Sequence, residues 1–524
     1  MLQPQSPQQD VIEFLRGPDA YSVNSLDVDV IETHAALIFL AGKSAYKIKK
    51  AVIYPYLDFS TLGKRKAACD RELEINQPHA PQIYLNVVPI CQADSGKLNI
   101  GGPGNVVEWA IHMHRFSDDA LLARVIDDGR AEAPLFITLA DEITRYHDKA
   151  QKVVDATGAK RISAIIAELC DAFGSANNII GARQHACFST ELERQLESMR
   201  HRLDERSQRG YVRRCHGDLH LHNIVVLDGK PVLFDAIEFD EEMATIDVLY
   251  DLAFLIMDLE VHHLRREANI VLNRYIADST DVANIAGLQA LPLFLACRAG
   301  IRAMVALTRL GQAKSETARA QAREDVTDYF ASALQFLERP PPQLICIGGL
   351  SGTGKTTIAR LLAPQFGSAP GALHLRSDVE RKMLFGVPET QHLGASAYTS
   401  EVSEKVYGSL MHKAKLALLA GSSVIVDAVF LNEAERDHAQ AVARDAGASF
   451  DGIWLEANER TMIERVTDRT GDASDADAAI VRKQLKKPTG NISWHRIIAD
   501  GTLDQTLSNC ADTLNQGIAK PFRT

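Results

Sequence analysis

No two cysteines in this chain stand at CxxC spacing. The eight of them, Cys69, Cys91, Cys170, Cys187, Cys215, Cys297, Cys346 and Cys510, are scattered without a metal-ligand pattern. That excludes a disulfide framework of the small secreted kind and fits reduced thiols in a cytoplasmic protein. A leader is lacking too: Met1 to Asp10 is rich in Gln and Pro and has no basic stretch followed by an apolar one, so no signal peptide is expected. No apolar run is long and unbroken. Gly287 to Leu307 is interrupted by Arg298 and Arg302, which predicts a buried helix and no membrane partner. An excess of positive charge is absent, the formal net charge being -11; nucleic acid, which calls for a basic face, is not expected as a partner. Internal repeats and low-complexity tracts are lacking, and with 46% hydrophobic and 24% charged residues the composition is that of an ordered globular protein.

A chain of 524 residues is too long for one core and should form two or three domains. The clearest seam is Arg339-Pro340-Pro341-Pro342, because consecutive prolines end a helix and favour an extended, semi-rigid spacer. The expected division is therefore 1–339, a linker at 340–342, and 343–524. Within the first part, residues 30 to 110 hold short strand-like runs, among them Ala36 to Leu40 and Tyr46 to Lys49. A helical pattern follows from about 115 to 210, then a strand-rich island at 211 to 240 and more helix up to 338.

Beyond the prolines, Gly349-Leu350-Ser351-Gly352-Thr353-Gly354-Lys355-Thr356 matches GxxxxGK[ST] in full. Glycines at this spacing let successive backbone N–H groups point at phosphate oxygens, and a following helix sets its positive end there. Lys355 can reach the outer phosphates of ATP and the Thr356 hydroxyl can ligate Mg2+; Thr357 continues the phosphate-binding run. The apolar strand Leu344 to Ile347 precedes the loop, and Lys355 to Phe366 reads as a helix. A second strand, Val424 to Val426, ends in Asp427, the position of a carboxylate that holds the magnesium shell. Asp378 follows the strand Leu373 to Leu375 and either accepts the proton of an attacking hydroxyl or caps a helix from Val379; Arg381 lies one turn beyond. Arg465 and Arg469 share a helical face before a Gly-Asp-Ala-Ser loop. They are either a cationic lid over the transferring phosphoryl group or part of a solvated charged face.

The first part has its own constellation. His216-Gly217-Asp218 is followed by Asn223, and the strand Val232 to Phe234 ends in Asp235. An Asp, an Asn five residues on and a strand-end Asp are what phosphoryl transfer needs. Asp218 orients or deprotonates the acceptor, while Asn223 and Asp235 hold magnesium. The hairpin signal Asp228-Gly229-Lys230 folds the two metal ligands towards each other. Zinc binding by His216, His220 and His222, or a hairpin without catalysis, are the alternatives.

On these residues the first part resembles the aminoglycoside phosphotransferase-type branch of the protein-kinase-like fold, whose motif is HGDxxxxN with a later strand-end Asp. The resemblance implies a bilobal α+β domain, small lobe about 1–110 and large lobe about 111–339. It also implies an ATP-phosphate lysine in Tyr46-Lys47-Ile48-Lys49. Lys49, preceded by an apolar residue, fits the lysine strand better, with Lys47 on the same face left open. Glu72 is then the ion-pair partner, Val106 to Met113 the hinge that meets adenine, and Asp247 and Asp251 braces of the catalytic loop. The last part, about 343 to 524, resembles P-loop small-molecule kinases, the group of gluconate kinase, chloramphenicol phosphotransferase and the kinase half of polynucleotide kinase. The residues that carry this are the loop, Ser377-Asp378 with Arg381, Val426-Asp427-Ala428 with Arg436, and the Arg465 and Arg469 pair. An α/β P-loop NTPase domain with a parallel sheet is implied. The whole chain resembles bacterial two-domain proteins that join these halves.

One element of the kinase pattern is missing: no GxGxxG precedes the lysine strand, and Ser22 to Thr33 contains no glycine. The expectation is a bifunctional ATP-dependent phosphotransferase acting on hydroxyl groups of small molecules with Mg2+. Its rivals are a P-loop kinase governed by a degenerate kinase-like sensing domain, and a nucleic-acid end kinase. No residue pattern specifies the oligomeric state.

Overall fold

The computed structural model describes residues 7–21, 27–54, 57–176, 179–277, 282–468 and 471–518. Arg469 lies outside them, as do residues 22–26 of the glycine-free segment. By contact density the chain forms two compact units, Met1–Asp155 with Ser207–Leu255, and Ala156–Arg206 with Ile256–Thr524.

In the first unit, α1 (Pro7–Arg16) and α2 (Leu62–Asn76) flank a six-stranded antiparallel sheet. Its strands are β1 (Val28–Glu32), β2 (Ala36–Ala41), β3 (Ser44–Lys49), β4 (Tyr84–Gln92), β5 (Leu98–Ile100) and β6 (Asn105–His114), in the order β1-β2-β3-β6-β4-β5. Alternation sorts the side chains. Leu37, Phe39 and Ile48 join Val11 and Leu15 of α1 in one core, whereas Ala45, Ile111 and Met113 join Cys69 of α2 in another. Lys47 and Lys49 share the parity of Ala45. The chain continues through β7 (Val212–Arg214), β8 (Ile224–Leu227), β9 (Lys230–Leu233) and β10 (Thr245–Asp247) into α3 (Val248–Val261). Strands β8 and β9 form the expected hairpin, Leu227 facing Lys230. Asp228 and Gly229 of its loop have φ 49° and 74°, the left-handed pair that a two-residue turn requires.

The hinge expectation does not hold. Residues 106–113 are the body of β6, with 110–113 paired to β3 on one side and β4 on the other, and Val106, Glu108 and Trp109 paired to β4 alone. The stretch is strand, engaged by the sheet on one edge or both. The chain leaves the sheet only after His114, and the segment from Arg115 to Leu121 follows.

The second unit contains α4 (Arg265–Ala277), α5 (Leu291–Gln312) and a five-stranded sheet of β11 (Gln343–Gly349), β12 (Leu373–Arg376), β13 (Val424–Asp427), β14 (Ser449–Glu456) and β15 (His495–Ile498). All neighbours are parallel, in the order β12-β13-β11-β14-β15. The central strands β11 and β13 are buried along their whole length, as strands of a parallel sheet covered on both faces are. α6 (Lys355–Leu362), α7 (Ser377–Leu384), α8 (Ser400–Leu419), α9 (Glu459–Thr467) and α10 (Ala478–Leu485) follow in turn. α6 ends four residues before the expected Phe366 and tightens into a 3-10 turn, Ala363–Gln365. Pro364 is the cause: it has no N–H to donate, and its ring crowds the carbonyl four residues back.

The outer edge of β12 is closed by side chains of α4. Asn273 Oδ1 accepts from the His374 N–H at 2.6 Å, and Asn269 and Asn273 donate to the Ala372 carbonyl at 3.1 and 3.2 Å. These bonds stand in for a further strand on an edge that is otherwise open to pairing. Among the described residues one stretch, Ala283–Gln312, is long and apolar enough to cross a membrane, and 67% of its most apolar window is buried inside the fold.

Candidate functional site

Each unit brings its motif residues together. In the first, β3 and α2 place two lysines around one carboxylate. Lys47 Nζ lies 2.8 Å from Glu72 Oε1 and 2.7 Å from Asp235 Oδ1. Lys49 Nζ lies 2.5 Å from Glu72 Oε2 and also pairs with Glu238. Glu72 is fully buried. Burial alone would raise its carboxyl, but Lys47 and Lys49 outweigh that and hold it down at about 2. Burial opposes the charge of Lys47 as well, and Asp235 and Glu72 overcome it, so this ammonium titrates well above its usual range. Each lysine thus meets two carboxylates: both share Glu72, Lys47 alone reaches Asp235 and Lys49 alone reaches Glu238.

Two ammonium groups thus face three carboxylates. The surplus negative charge meets solvent at Asp235, whose side chain is 41% exposed. Asp235 has φ 61°, a left-handed conformation that Asp tolerates at a cost and that turns its carboxylate out of the strand line. Asn223 Nδ2 donates to Asp218 Oδ2 at 2.8 Å and to the Asp218 carbonyl at 2.9 Å, so acid and amide are set as one group. The donor set, amide and carboxylate oxygens beside a surplus negative charge, fits a hard divalent cation.

The backbone of the His216–Gly217 segment is held by a buried carboxylate. Asp251 in α3 accepts from the N–H groups of His216 (3.1 Å) and Gly217 (2.8 Å) and lies 3.0 Å from His147 Nε2. Asp247 caps α3 by accepting from Leu249 N–H at 2.9 Å. His216 Nε2 is 2.9 Å from the Phe234 carbonyl. Among the described residues, the side chains that converge tightly enough for a metal are His147, Cys215 and Asp251, not the three histidines of the zinc alternative. Both Asp251 oxygens are already committed to the loop.

The buried charge cluster has a measurable consequence. Glu72→Gln removes one charge and leaves two buried lysines short of a partner, an expected cost of about 3–5 kcal/mol. Its folded value of about 2 lies below the ordinary 4.5. The contribution is therefore complete above pH about 4.5 and lost as pH falls towards about 2. Urea unfolding of wild type and variant checks this, and a difference that does not shrink on acidification contradicts it.

In the second unit the C-terminal ends of β11, β12 and β13 open on a cavity of about 810 Å³ lined by Ser351 to Ile358, Asp378, Arg381, Asp427 and Arg465, among others. Open parallel sheets carry ligands at this end. Gly349, Gly352 and Gly354 have φ of 137°, 86° and 93°. A Cβ on Gly352 would stand 2.4 Å from the Met462 carbonyl oxygen, so the loop's cradle shape depends on glycine. Lys355 Nζ rests 3.0 Å from the Leu350 carbonyl, and Thr353 Oγ1 donates to the same carbonyl at 2.8 Å. Ser351 N–H donates to Gln484 Oε1 at 2.8 Å. Thr357 lines the cavity.

Thr356 Oγ1 donates to Asp427 Oδ2 at 2.5 Å. Burial would raise Asp427, but His374, Lys355 and Arg376 hold it ionised with a value of about 2. His374 Nε2 is buried without a hydrogen-bond partner, 3.8 Å from Asp427 Oδ2. A hydroxyl and an ionised carboxylate in contact, beside an orphaned nitrogen that can serve a metal-bound water, fit a magnesium shell. Asp378 lies inside the first turn of α7, whose N-cap is Arg376 with no side-chain cap bond; it does not act as the cap of the alternative reading. Burial and the neighbouring Asp427 raise its carboxyl, with Ser474 and Arg376 opposing, which suits a proton acceptor. Arg465 donates to the Ala499 carbonyl at 2.8 Å and lies 3.4–3.5 Å from the carbonyls of Thr353 and Gly352, against the loop backbone. Arg436 is a scaffold residue, donating to the carbonyls of Phe430, Leu431, Thr489 and Asn491.

Sequence reasoning missed Glu238, Ser474, Gln484 and His374. Glu238 had a faint signal as an acid three residues after Asp235; the others meet the site only through tertiary packing.

Residues 174–291 match the family model described as phosphotransferase enzyme family, a span that holds Asp218, Asn223 and Asp235. Residues 344–489 match the model described as AAA domain, which spans the loop, Asp378 and Asp427. An uncharacterized protein of Mycobacterium tuberculosis is similar at 29% identity over 500 residues, 92% of this chain and 94% of its own. Among solved structures, a gluconokinase from Sinorhizobium meliloti is similar at 20% identity and a TM-score of 0.24, over 34% of this chain and 99% of its own. A choline/ethanolamine kinase family protein from Mesorhizobium loti is similar at 11% identity and a TM-score of 0.36, over 63% and 99%. The two family models thus follow one another along the chain, phosphotransferase enzyme family and then an AAA domain built on the parallel sheet, and the first supports a phosphotransferase.

Proposed function

We propose that the chain is a bifunctional ATP-dependent phosphotransferase, residues 1–339 and 343–524 each moving the terminal phosphoryl group of ATP to a hydroxyl of a small molecule. The observation that carries this reading is the complete phosphate loop sharing one cavity with Asp378 and the Thr356–Asp427 contact.

In the C-terminal half, the backbone N–H groups of residues 352–356 and the dipole of α6 bind the phosphates. Lys355 swings from the Leu350 carbonyl to the outer phosphate oxygens, and Asp378 accepts the proton of the attacking hydroxyl. Arg465 steadies the loop from its backbone side. Magnesium, held by Thr356 and Asp427, would neutralise charge on the transferring group.

In the N-terminal half, Lys47 binds the phosphates, Glu72 and Lys49 fix its position, and Asp218 orients the acceptor hydroxyl. Asn223 and Asp235 would hold the metal. The β1–β2 turn, Thr33-His34-Ala35, carries no glycine to approach a phosphate closely, which makes this the weaker nucleotide site. The test is ATP-dependent phosphorylation of a pooled set of sugars, polyols, amino sugars and sugar acids by the full chain. Lys355→Ala and Asp218→Asn should each remove a different part of the products. ATP hydrolysis with no phosphorylated product contradicts the reading.

A further inference from the structure

The cavity of the second unit has two ends. Its volume, about 810 Å³, is at the upper range for a single ligand pocket, with room for an acceptor beside a nucleotide. The end away from the phosphate loop is walled by α7, by residues 395–398, by α8 and by the turn after β13. α8 turns one polar stripe to it: Ser400, Ser403, Glu404 and Tyr407 line the cavity at spacings i, i+3, i+4 and i+7, one helical face. Its apolar residues, Val406, Leu410, Met411 and Ala414, are buried instead in the protein. Hydroxyl groups in such a row offer donors and acceptors to a ligand with several hydroxyls of its own.

The charge of that end is one-sided. Asp378, Glu404 and Glu435 line it, against Arg381 and with Lys487 a further cation in the cavity lining. Arg381 is 6% exposed and largely committed. Its NH1 donates to the Ala397 carbonyl at 2.7 Å and its guanidinium lies 4.7 Å over the Tyr398 ring. Its Nε is buried without a hydrogen-bond partner and can donate to a ligand oxygen. Glu435 is also committed, accepting from Asn432 Nδ2 at 2.8 Å and Asn432 N–H at 3.2 Å as a helix cap. Glu404, by contrast, is exposed to the cavity.

We propose that the acceptor of the P-loop site is a small polyhydroxylated molecule without negative charge, neutral or amine-bearing, and that Glu404 sets this preference. The inference rests on the kinase reading of this cavity. In the reaction the bond from the terminal phosphorus to the β–γ bridging oxygen breaks and ADP departs. A new bond forms from that phosphorus to the acceptor oxygen, and the hydroxyl proton passes to Asp378. An anionic acceptor would bring its charge against Asp378, Glu404 and the phosphates at once, with Arg381 and Lys487 to offset them, and like charges in excess reject a partner.

The test uses the full chain carrying Asp218→Asn, so that the P-loop site alone transfers, with γ-labelled ATP. The acceptors share one carbon skeleton: glucitol, glucosamine and gluconate, with a 5′-hydroxyl oligonucleotide added. We expect kcat/KM for gluconate and the oligonucleotide to fall about a hundred-fold or more below the better of the other two. Glu404→Lys, an exposed change that leaves the fold intact by circular dichroism, should shift the gluconate-to-glucosamine ratio about ten-fold or more towards gluconate. Gluconate or oligonucleotide turned over as fast as the neutral and amine acceptors overturns the proposal and leaves the kinase reading standing. An unchanged ratio in Glu404→Lys overturns the role of Glu404. If none of the acceptors is labelled, the proposal falls together with the kinase reading beneath it.

Discussion

Lys355→Ala should lower phosphoryl transfer from the P-loop site by about a hundred-fold or more. The lysine stands at the mouth of a loop whose glycines are conformationally committed, with Gly352 closed off by the Met462 carbonyl. No neighbouring glycine N–H can move in to replace it. One present contact, the Leu350 carbonyl at 3.0 Å, belongs to the loop itself, so the ammonium is held beside the phosphate path. Alanine removes a positive charge from the point where negative charge builds during transfer, and one such contact in a water-poor site is worth about a hundred-fold or more. The loop fold should survive, because Thr353 still bonds the Leu350 carbonyl. The measurement is product formation by the full chain in an Asp218→Asn background. A rate within a few-fold of the parent contradicts the assignment.

The second large effect separates two carboxylates of the first unit. Asp218→Asn should spare Mg-ATP binding and reduce transfer by about 10²–10⁴-fold, the range of a positioned acid or base. Its carboxylate faces Asn223 and would meet the acceptor, not the nucleotide. Asp235→Asn should weaken magnesium-dependent nucleotide binding itself. It removes the solvent-facing carboxylate of the Lys47–Glu72–Asp235 cluster and would take a metal ligand with it. Equilibrium binding of a non-hydrolysable ATP analogue, with and without magnesium, distinguishes the two. If both variants bind like wild type and keep their activity, the kinase reading of this half fails.

The fold class was legible because its signals are local. The strand Gln343–Gly349, the loop and α6 follow from an apolar run, fixed glycines and a helix-forming stretch, and the misjudged end of α6 traces to Pro364 alone. The Asp228-Gly229 turn likewise announces its hairpin. What the sequence did not disclose depends on where elements meet. Lys47 and Lys49 have the same strand parity and differ only in which carboxylate each finds, Asp235 or Glu238; one residue of local pattern favoured Lys49. Val106 to Met113 reads as a plausible hinge until it is seen to be a strand, with β4 along one edge and β3 beside its second half. His374 sits in an ordinary strand alternation, and its orphaned nitrogen near Asp427 arises from the parallel pairing of β12 with β13. The bonds of Asn269 and Asn273 to β12 join residues about a hundred positions apart, beyond any periodicity argument.

The central claim is that the two halves hold independent nucleotide sites. On the proposed reading each would have its own lysine, metal ligands and proton acceptor, Lys47 with Asn223, Asp235 and Asp218 in one, Lys355 with Thr356, Asp427 and Asp378 in the other, so neither would need a residue lent by its neighbour. Isothermal titration of the full chain with a non-hydrolysable ATP analogue and magnesium tests this directly. The account predicts two sites in the wild type, the weaker one lost in Asp235→Asn and the tighter one lost in Lys355→Ala. A single site that vanishes in Lys355→Ala and is untouched by Asp235→Asn would contradict it, leaving the first half as a sensing domain.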